Sequence, residues 1–369
     1  MSFSSRHERP IGASNKAQGG AAFNQSVSGL EGESDLVTVF DDFNQAVTTT
    51  TFGTSAGATT SNGFEDAGWV CTDVGTPSND QIGQNDVGDV DQWIPSCLRI
   101  DTGDTEDTGG NMQLDWINSR AASAVDVAGT ADFRVNTPSY PHLWIPETAA
   151  GAGALDNQIL TFSCRLGFRA DDEVAGDTSG DWDSKAFIGF AVAGDTGIMT
   201  ASTGALASGA AAQQLLGFHI NEDGDIHGIA QRDGSVSYAA GTNFTELKGA
   251  GAVDGTVANG SNAAGDTVWY DLALRARVTD WSDDDANGAV EFYYRRVMPT
   301  LGIGGDRSHP GPGRGSAWVK HGTALENAIP YHTVALVPTI EVINGPTADR
   351  DGVVYLDWWS FGVTRPSSR

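Results

Sequence analysis

Residues 158–169 read Gln-Ile-Leu-Thr-Phe-Ser-Cys-Arg-Leu-Gly-Phe-Arg, and Leu160, Phe162, Cys164, Leu166 and Phe168 fall on every second position. A strand points successive side chains to opposite faces, so this spacing predicts a half-buried β-strand. The neighbouring segments extend the same reading. Residues 185–193 (Lys-Ala-Phe-Ile-Gly-Phe-Ala-Val-Ala) predict a fully apolar strand. Residues 216–220 and 225–230, joined by Asn-Glu-Asp-Gly, predict a hairpin with a four-residue loop. Residues 267–278 alternate through Val268, Tyr270, Leu272, Leu274, Ala276 and Val278, and an Asn287-Gly288 turn leads to a partner strand over 290–297. Residues 334–343 and 353–363 predict two more strands. Upstream, Asp35-Leu-Val-Thr-Val-Phe-Asp-Asp-Phe43 opens with a β-branched run, and the Thr/Gly/Ser-rich stretch 48–61 predicts a loop or a weak edge strand. Helical signal is confined to 201–216, where Gly204 and Gly209 weaken it. Many short strands with few helices predict an all-β sandwich.

Charge narrows the setting. The 369 residues carry 48 acids against 21 bases, a net charge of −27. The acids are 36 Asp and 12 Glu, the bases 17 Arg and 4 Lys. A surface rich in short carboxylates and poor in lysine is strongly hydrated, and its self-repulsion is relieved by salt. The pattern resembles proteins of extreme halophiles; an acidic secreted or surface protein is the alternative. Such a charge excludes nucleic acid and anionic membranes as partners. No apolar run reaches the roughly 18 residues of a membrane span, so no membrane insertion is expected. Residues 1–34 are polar, glycine-rich and too poor in apolar groups to fold alone, and they predict a flexible arm that orders on a partner, or a disordered leader. They also lack the apolar stretch of a signal peptide, which predicts assembly in the cytoplasm. Cys71, Cys97 and Cys164 form no disulfide framework and no metal spacing, and are expected as small buried groups.

Several short stretches carry a resemblance. They are Phe40-Asp41-Asp42-Phe43, Phe187-Ile188-Gly189-Phe190, the Gly-Phe strand with an acidic turn over 217–224, Trp269-Tyr270-Asp271-Leu272, Val290-Glu291-Phe292-Tyr293 and Val354-Tyr355-Leu356-Asp357-Trp358. Their order resembles the concanavalin-A-like lectin/glucanase jelly roll, in the versions found in tailed-virus structural proteins. The resemblance implies an antiparallel jelly-roll β-sandwich over 35–369 with long loop insertions, preceded by the extended arm. It covers strands and turns rather than a catalytic fingerprint, so it speaks to fold more than to function.

Catalytic signatures are sparse. Glucanases of that superfamily carry a Glu-x-Asp-x-(x)-Glu strand that sets an acid and a nucleophile on one face. The nearest approach here is Glu31-Gly-Glu33-Ser-Asp35, in the arm, with no third Glu following. Glu173, Glu222, Glu291 and Glu341 stand alone in sequence. Gly53-Thr-Ser-Ala-Gly57 matches the spacing of a nucleophile elbow, but that motif needs a strand before it and a helix after it. The histidines form no metal-binding pair, and are expected to be structural or surface groups.

Binding groups are better represented. Asp283-x-Asp285-x-Asn287-Gly288 matches the first half of a calcium loop, although its twelfth position is Tyr294 rather than a bidentate Glu. Asp223 and Asp225 form a similar tip. Either is expected as a solvated hairpin tip, with low-affinity Ca²⁺ or a bound monovalent cation as the alternative; no other cofactor is expected. Trp144 and Trp318 lie in loop-like stretches and are the candidate glycan contacts, with packing the alternative. The function expected from these readings is a non-enzymatic virion structural protein of a haloarchaeal tailed virus. It would decorate the capsid or form a turret or fibre, as a homo-oligomer bound to the major capsid protein or other virion proteins, and touch host-surface glycan. A lectin or adhesin is the second reading, and a polysaccharide hydrolase the third.

Overall fold

A computed structural model describes residues 36–41, 50–51, 69–75, 81–84, 97–102, 105–114, 159–172, 184–192, 197–199, 214–221, 226–232, 235–238, 268–280, 287–297, 300–301, 307–308, 318–326, 329–330, 336–345 and 350–364. Among these residues there are eighteen strands and no helix. In chain order they are β1 (Leu36–Asp41), β2 (Thr50–Thr51), β3 (Trp69–Val74), β4 (Gln81–Gln84), β5 (Leu98–Asp101), β6 (Gly109–Leu114), β7 (Ile159–Asp172), β8 (Lys185–Val192) and β9 (Leu215–Ile220). There follow β10 (Ile226–Arg232), β11 (Ser235–Tyr238), β12 (Val268–Asp280), β13 (Asn287–Val297), β14 (Thr300–Leu301), β15 (Arg307–Ser308), β16 (Val319–Glu326), β17 (Leu336–Ile343) and β18 (Arg350–Thr364).

Two antiparallel sheets make the sandwich. The nine-stranded sheet runs β16-β13-β12-β7-β18-β5-β4-β2, with β1 also on β18; the seven-stranded sheet runs β11-β10-β9-β8-β17-β6-β3. Strands β14 and β15 pair only with each other. From β5 to β8, and again from β17 to β18, consecutive strands alternate between sheets, which is the jelly-roll arrangement. The strand over 158–169 is at its centre: β7 lies between β12 and β18, and its five alternating apolar side chains are all buried.

The interior forms where the two apolar faces meet. Phe162 of β7 meets Phe190 of β8 edge to face, with ring centroids 5.4 Å apart, and Phe218 of β9 meets Phe292 of β13 at 5.5 Å. Such contacts suit the positive edge and negative face of aromatic rings. Beside Phe292 the two sheets are in tight contact, and a Cβ at Gly228 would lie 2.4 Å from the ring's Cγ. Only a residue without a side chain fits there. Gly189 and Gly217 face each other across β8 and β9 for the same reason, since a Cβ on either would lie 2.3 Å from a backbone oxygen of the other strand. A smaller apolar cluster occupies the opposite face of the seven-stranded sheet, where Ile198 and Met199 pack on Phe187, Ala191, Leu215, Ile229 and Ile343.

The strands expected at 158–169, 185–193, 216–230, 267–297, 334–343 and 353–363 are present, with the ends of several extended. Residues 50–51 form the weak edge strand foreseen in 48–61. The helix expected over 201–216 is corrected at its end, since Leu215 and Leu216 open β9; residues 201–213 lie outside the described residues. Strong cross-strand pairing on both sides outweighs the Leu/Gln helical preference there. The N-terminal arm over 1–34 also lies outside the described residues. Cys97 and Cys164 are buried free thiols, as expected, and burial next to Asp271 pushes the Cys164 thiol well up.

Candidate functional site

Because Leu160 to Phe168 point inward, Thr161, Ser163 and Arg165 point outward, and the strands on either side obey the same alternation. The registers align five residues into one rung across the outward face of the nine-stranded sheet. Arg165 of β7 is opposite Asp271 of β12, which is opposite Arg295 of β13. Trp358 of β18 is opposite Arg165 at one end, and Trp318, just before β16, meets Arg295 at the other. The order is therefore Trp, Arg, Asp, Arg, Trp.

Asp271 is fully buried and holds both arginines. Arg165 donates from Nε to Oδ1 at 2.7 Å and from Nη2 to Oδ2 at 3.2 Å. Arg295 donates to Oδ2 from Nε at 2.7 Å and from Nη2 at 2.6 Å. Each guanidinium then faces an aromatic ring, Arg165 at 5.9 Å from the Trp358 centroid and Arg295 at 4.6 Å from that of Trp318. Planar guanidinium can pair with carboxylate in its plane and stack on an indole with its face, which lysine cannot do. A bulge completes the inner end. The register of β18 on β7 shifts between Leu356 and Trp358, and this brings Asp357 to 3.6 Å from Arg165 beside Trp358. Burial alone would lower the Arg165 pKa, but Asp271 and Asp357 hold it above its ordinary value.

The face becomes more open towards β16. Glu291 of β13 accepts from Lys320 Nζ at 2.5 Å and from the Tyr293 hydroxyl at 3.0 Å, and Arg275 Nη1 is 3.8 Å away. Burial would raise the Glu291 carboxyl, but these three neighbours hold it below the usual carboxylate range. Burial and the bond to Glu291 push the Tyr293 phenol up to about 12, so it remains a hydrogen-bond donor at any ordinary pH. Trp318, Arg295 and Tyr293 are half-buried; Lys320 and Arg277 are exposed.

The outward face of the other sheet is polar in a different way. Glu341 of β17 is completely buried, and its two oxygens accept four bonds. Asn111 Nδ2 (2.7 Å), Gly197 N (3.0 Å) and Ile198 N (3.1 Å) donate to Oε2, and Met199 N (2.9 Å) donates to Oε1. Burial raises its pKa, and those four donors offset the rise in part. Its neighbour Lys185 reaches Asp107 at 3.2 Å. Across β9 and β10, His219 and His227 stack with centroids 6.0 Å apart, and burial and the nearby His227 lower the pKa of His321. Sequence spacing had separated these histidines; the register brings the first two opposite each other.

Of the expected site residues, Trp318 is on the outer rung. Asn287 opens β13 opposite Asp280, where the register shifts. Asp283, Asp285, Asp223, Asp225 and Trp144 lie outside the described residues, as do Gly53 to Gly57 of the elbow-like spacing. Among the described residues no group of three or more His, Cys, Asp or Glu is placed to hold a metal ion, and no helix is long and apolar enough to cross a membrane.

No protein-family model and no curated protein matches the chain. Solved structures with a similar course of chain include peanut lectin with a nine-residue peptide, 12% identical, which covers 91% of this chain and 100% of its own at a TM-score of 0.36. Lectin I of Ulex europaeus, in complex with the methyl glycoside of α-L-fucose, is 8% identical, with 90% and 99% covered and a TM-score of 0.36. The PL-14 alginate lyase of Aplysia kurodai is 12% identical, with 77% and 87% covered and a TM-score of 0.33. The likeness is one of strand arrangement, so the chemistry has to be read from this chain's own residues.

Proposed function

We propose that the chain is a non-enzymatic structural protein that contacts glycan through the outer end of the Trp-Arg-Asp-Arg-Trp rung. The observation that carries this reading is Trp318, a half-buried indole whose ring is fixed by Arg295, which Asp271 fixes in turn. Indole faces stack on the apolar faces of sugar rings, and a ring already held in place loses little freedom on binding. Among the described residues, Glu341 and Glu291 support binding over catalysis. A general acid needs a raised pKa and access to substrate. Glu341 has the raised pKa but is sealed behind four donors, whereas the more open Glu291 is held low by its neighbours.

The setting proposed is the particle of a tailed virus of a halophilic archaeon, with the sandwich displayed in many symmetric copies and the arm over 1–34 docked on the major capsid protein or its neighbours. The support is compositional: 36 Asp against 4 Lys, and a leader too polar to fold alone. Low-affinity Ca²⁺ or monovalent-ion contacts at Asp283, Asp285 and Asn287, or at Asp223 and Asp225, belong to the same proposal.

Two measurements test it. A glycan array probed in molar KCl should give a defined set of bound sugars, and Trp318→Ala should weaken that binding about tenfold or more. Unchanged binding by the variant would remove Trp318 from the site, and no binding by the parent would remove glycan contact altogether. Quantitative mass spectrometry of gradient-purified particles should find on the order of hundreds of copies, as a symmetric lattice requires. A few tens would favour a receptor-binding device over a decoration protein, and absence would overturn the virion assignment.

A further inference from the structure

At one end of the nine-stranded sheet, the outward face of β12, β13 and β16 has a charge balance opposite to that of the chain as a whole. Its described side chains include four cations: Arg275, Arg277, Arg295 and Lys320. Against them stand three carboxylates, Asp271, Glu291 and Glu326, which leaves one positive charge in excess on a chain of net −27. Lys320 is one of only 4 lysines in the sequence. Glycan contact by stacking alone would need no such excess.

The arrangement is also elongated. From the rung of Arg295 and Trp318, the register steps two residues at a time to Tyr293 with Lys320, then to Arg275 with Glu291, then to Arg277 opposite Ala289. Three steps of two residues span about 20 Å along the strands. An aromatic group thus stands at one end of a strip, an exposed arginine at the other, and Lys320 and Arg275 lie between. Inside the strip Glu291 is already a stabilised anion, held by Lys320 and Tyr293, with Arg275 close by. A strip of that length suits several units of a linear polymer, and the spacing of its cations suits acidic groups repeating along it.

We infer that this strip, from Trp318 past Lys320 and Arg275 to Arg277, binds a linear anionic glycan carrying carboxylate or sulfate groups. The inference rests on the glycan reading above and adds the ligand's charge and polymeric length. The anionic groups pair with Lys320, Arg275 and Arg277 while a sugar ring packs on Trp318. The competing occupant is the acidic surface of a second copy of this chain, which the test separates.

The full-length protein would be titrated calorimetrically with polygalacturonate oligomers, dextran sulfate oligomers and neutral dextran oligomers of matched length. The titrations would be run at about 1 M KCl, where screening acts over about 3 Å and contact pairs persist. The expected result is binding of one or both anionic probes at least about tenfold tighter than dextran; whichever anionic probe binds tighter identifies carboxylate or sulfate as the recognised group. Arg277→Glu should weaken the anionic probe about tenfold while leaving the denaturation midpoint unchanged. Arg277→Gln, which only removes the charge, should fall between it and the parent. Equal affinity for dextran, lost on Trp318→Ala, would uphold glycan contact and overturn the anionic ligand. No binding of any probe would overturn both. Self-association in sedimentation that Arg277→Glu abolishes, without anionic glycan binding, would assign the strip to a second copy and overturn the inference.

Discussion

Asp271→Ala is expected to destabilise the protein by about 3–5 kcal/mol, the cost of leaving buried charge without its partner. The carboxylate is fully buried and accepts at 2.6–2.7 Å from both Arg165 and Arg295. Its removal leaves Arg165, 7% exposed, with Asp357 at 3.6 Å as its one carboxylate among the described residues, and turns Arg295 loose beside Trp318. Denaturant titration in molar KCl reads the effect as a lower midpoint with an unchanged slope. Trp318-dependent glycan binding should fall as well, because Arg295 loses its brace. The triple change Arg165→Met, Asp271→Leu, Arg295→Met should recover most of the stability, since apolar groups of similar volume often replace a buried ion cluster at little cost. It should not recover binding. An Asp271→Ala loss below about 1 kcal/mol would mean that the rung is solvated and does not brace Trp318.

The second large effect is expected at Glu341. Glu341→Ala strands the Asn111 amide and the backbone N–H groups of Gly197, Ile198 and Met199, all of which donate to this carboxylate. A buried donor left without an acceptor costs about 1–3 kcal/mol, so a total of at least about 3 kcal/mol is expected. The damage should begin locally. Ile198 and Met199 cap the small apolar cluster on Phe187, Leu215 and Ile343, and without the carboxylate that cap is no longer tied down. Amide hydrogen exchange should show lost protection at residues 197–199 before any loss in β7 or β18. Glu341→Gln keeps an oxygen for three of the donors but turns an N–H₂ towards Met199 N, so it should cost less. Equal protection in Glu341→Ala and the parent would show that the four bonds do not hold the segment.

How far these features were legible depends on the range of the interaction. The β7 alternation, Leu160 to Phe168, is a local property and survives in the fold unchanged. So does the hairpin that joins β9 to β10. Strands β3 to β6 left little trace: Gln-Ile-Gly-Gln and Gly-Gly-Asn-Met-Gln-Leu are too short and too poor in apolar groups to alternate visibly. Their pairing comes from the neighbours they meet. The rung depends on register, which no stretch of sequence encodes by itself. Arg165, Asp271 and Arg295 could each be assigned to an outward face, but their meeting needs three strands aligned to the residue. Trp318 stands out in the sequence because its surroundings are loop-like; its guanidinium partner 23 residues earlier carries no such local signal. The same limit separated His219 from His227, and Glu341 from the backbone it holds.

The position of β18 sets an order of events during synthesis. β18 pairs with β7 along most of its length, and on its other edge with β5 and β1. β5 in turn carries β4 and β2. Among the described residues, the amino-terminal strands of the larger sheet therefore join its centre through residues 350–364 alone. Until that segment leaves the ribosome, β7 has one open edge, and β1 and the group β2-β4-β5 are separated from the centre of the larger sheet. Hydrophobic strands with open edges are prone to pair wrongly, and contacts between residues this far apart in sequence form slowly. The early strands must stay soluble until residues 350–364 have been made. Mutual repulsion among its abundant aspartates, which works against compaction, also keeps such waiting chains from one another.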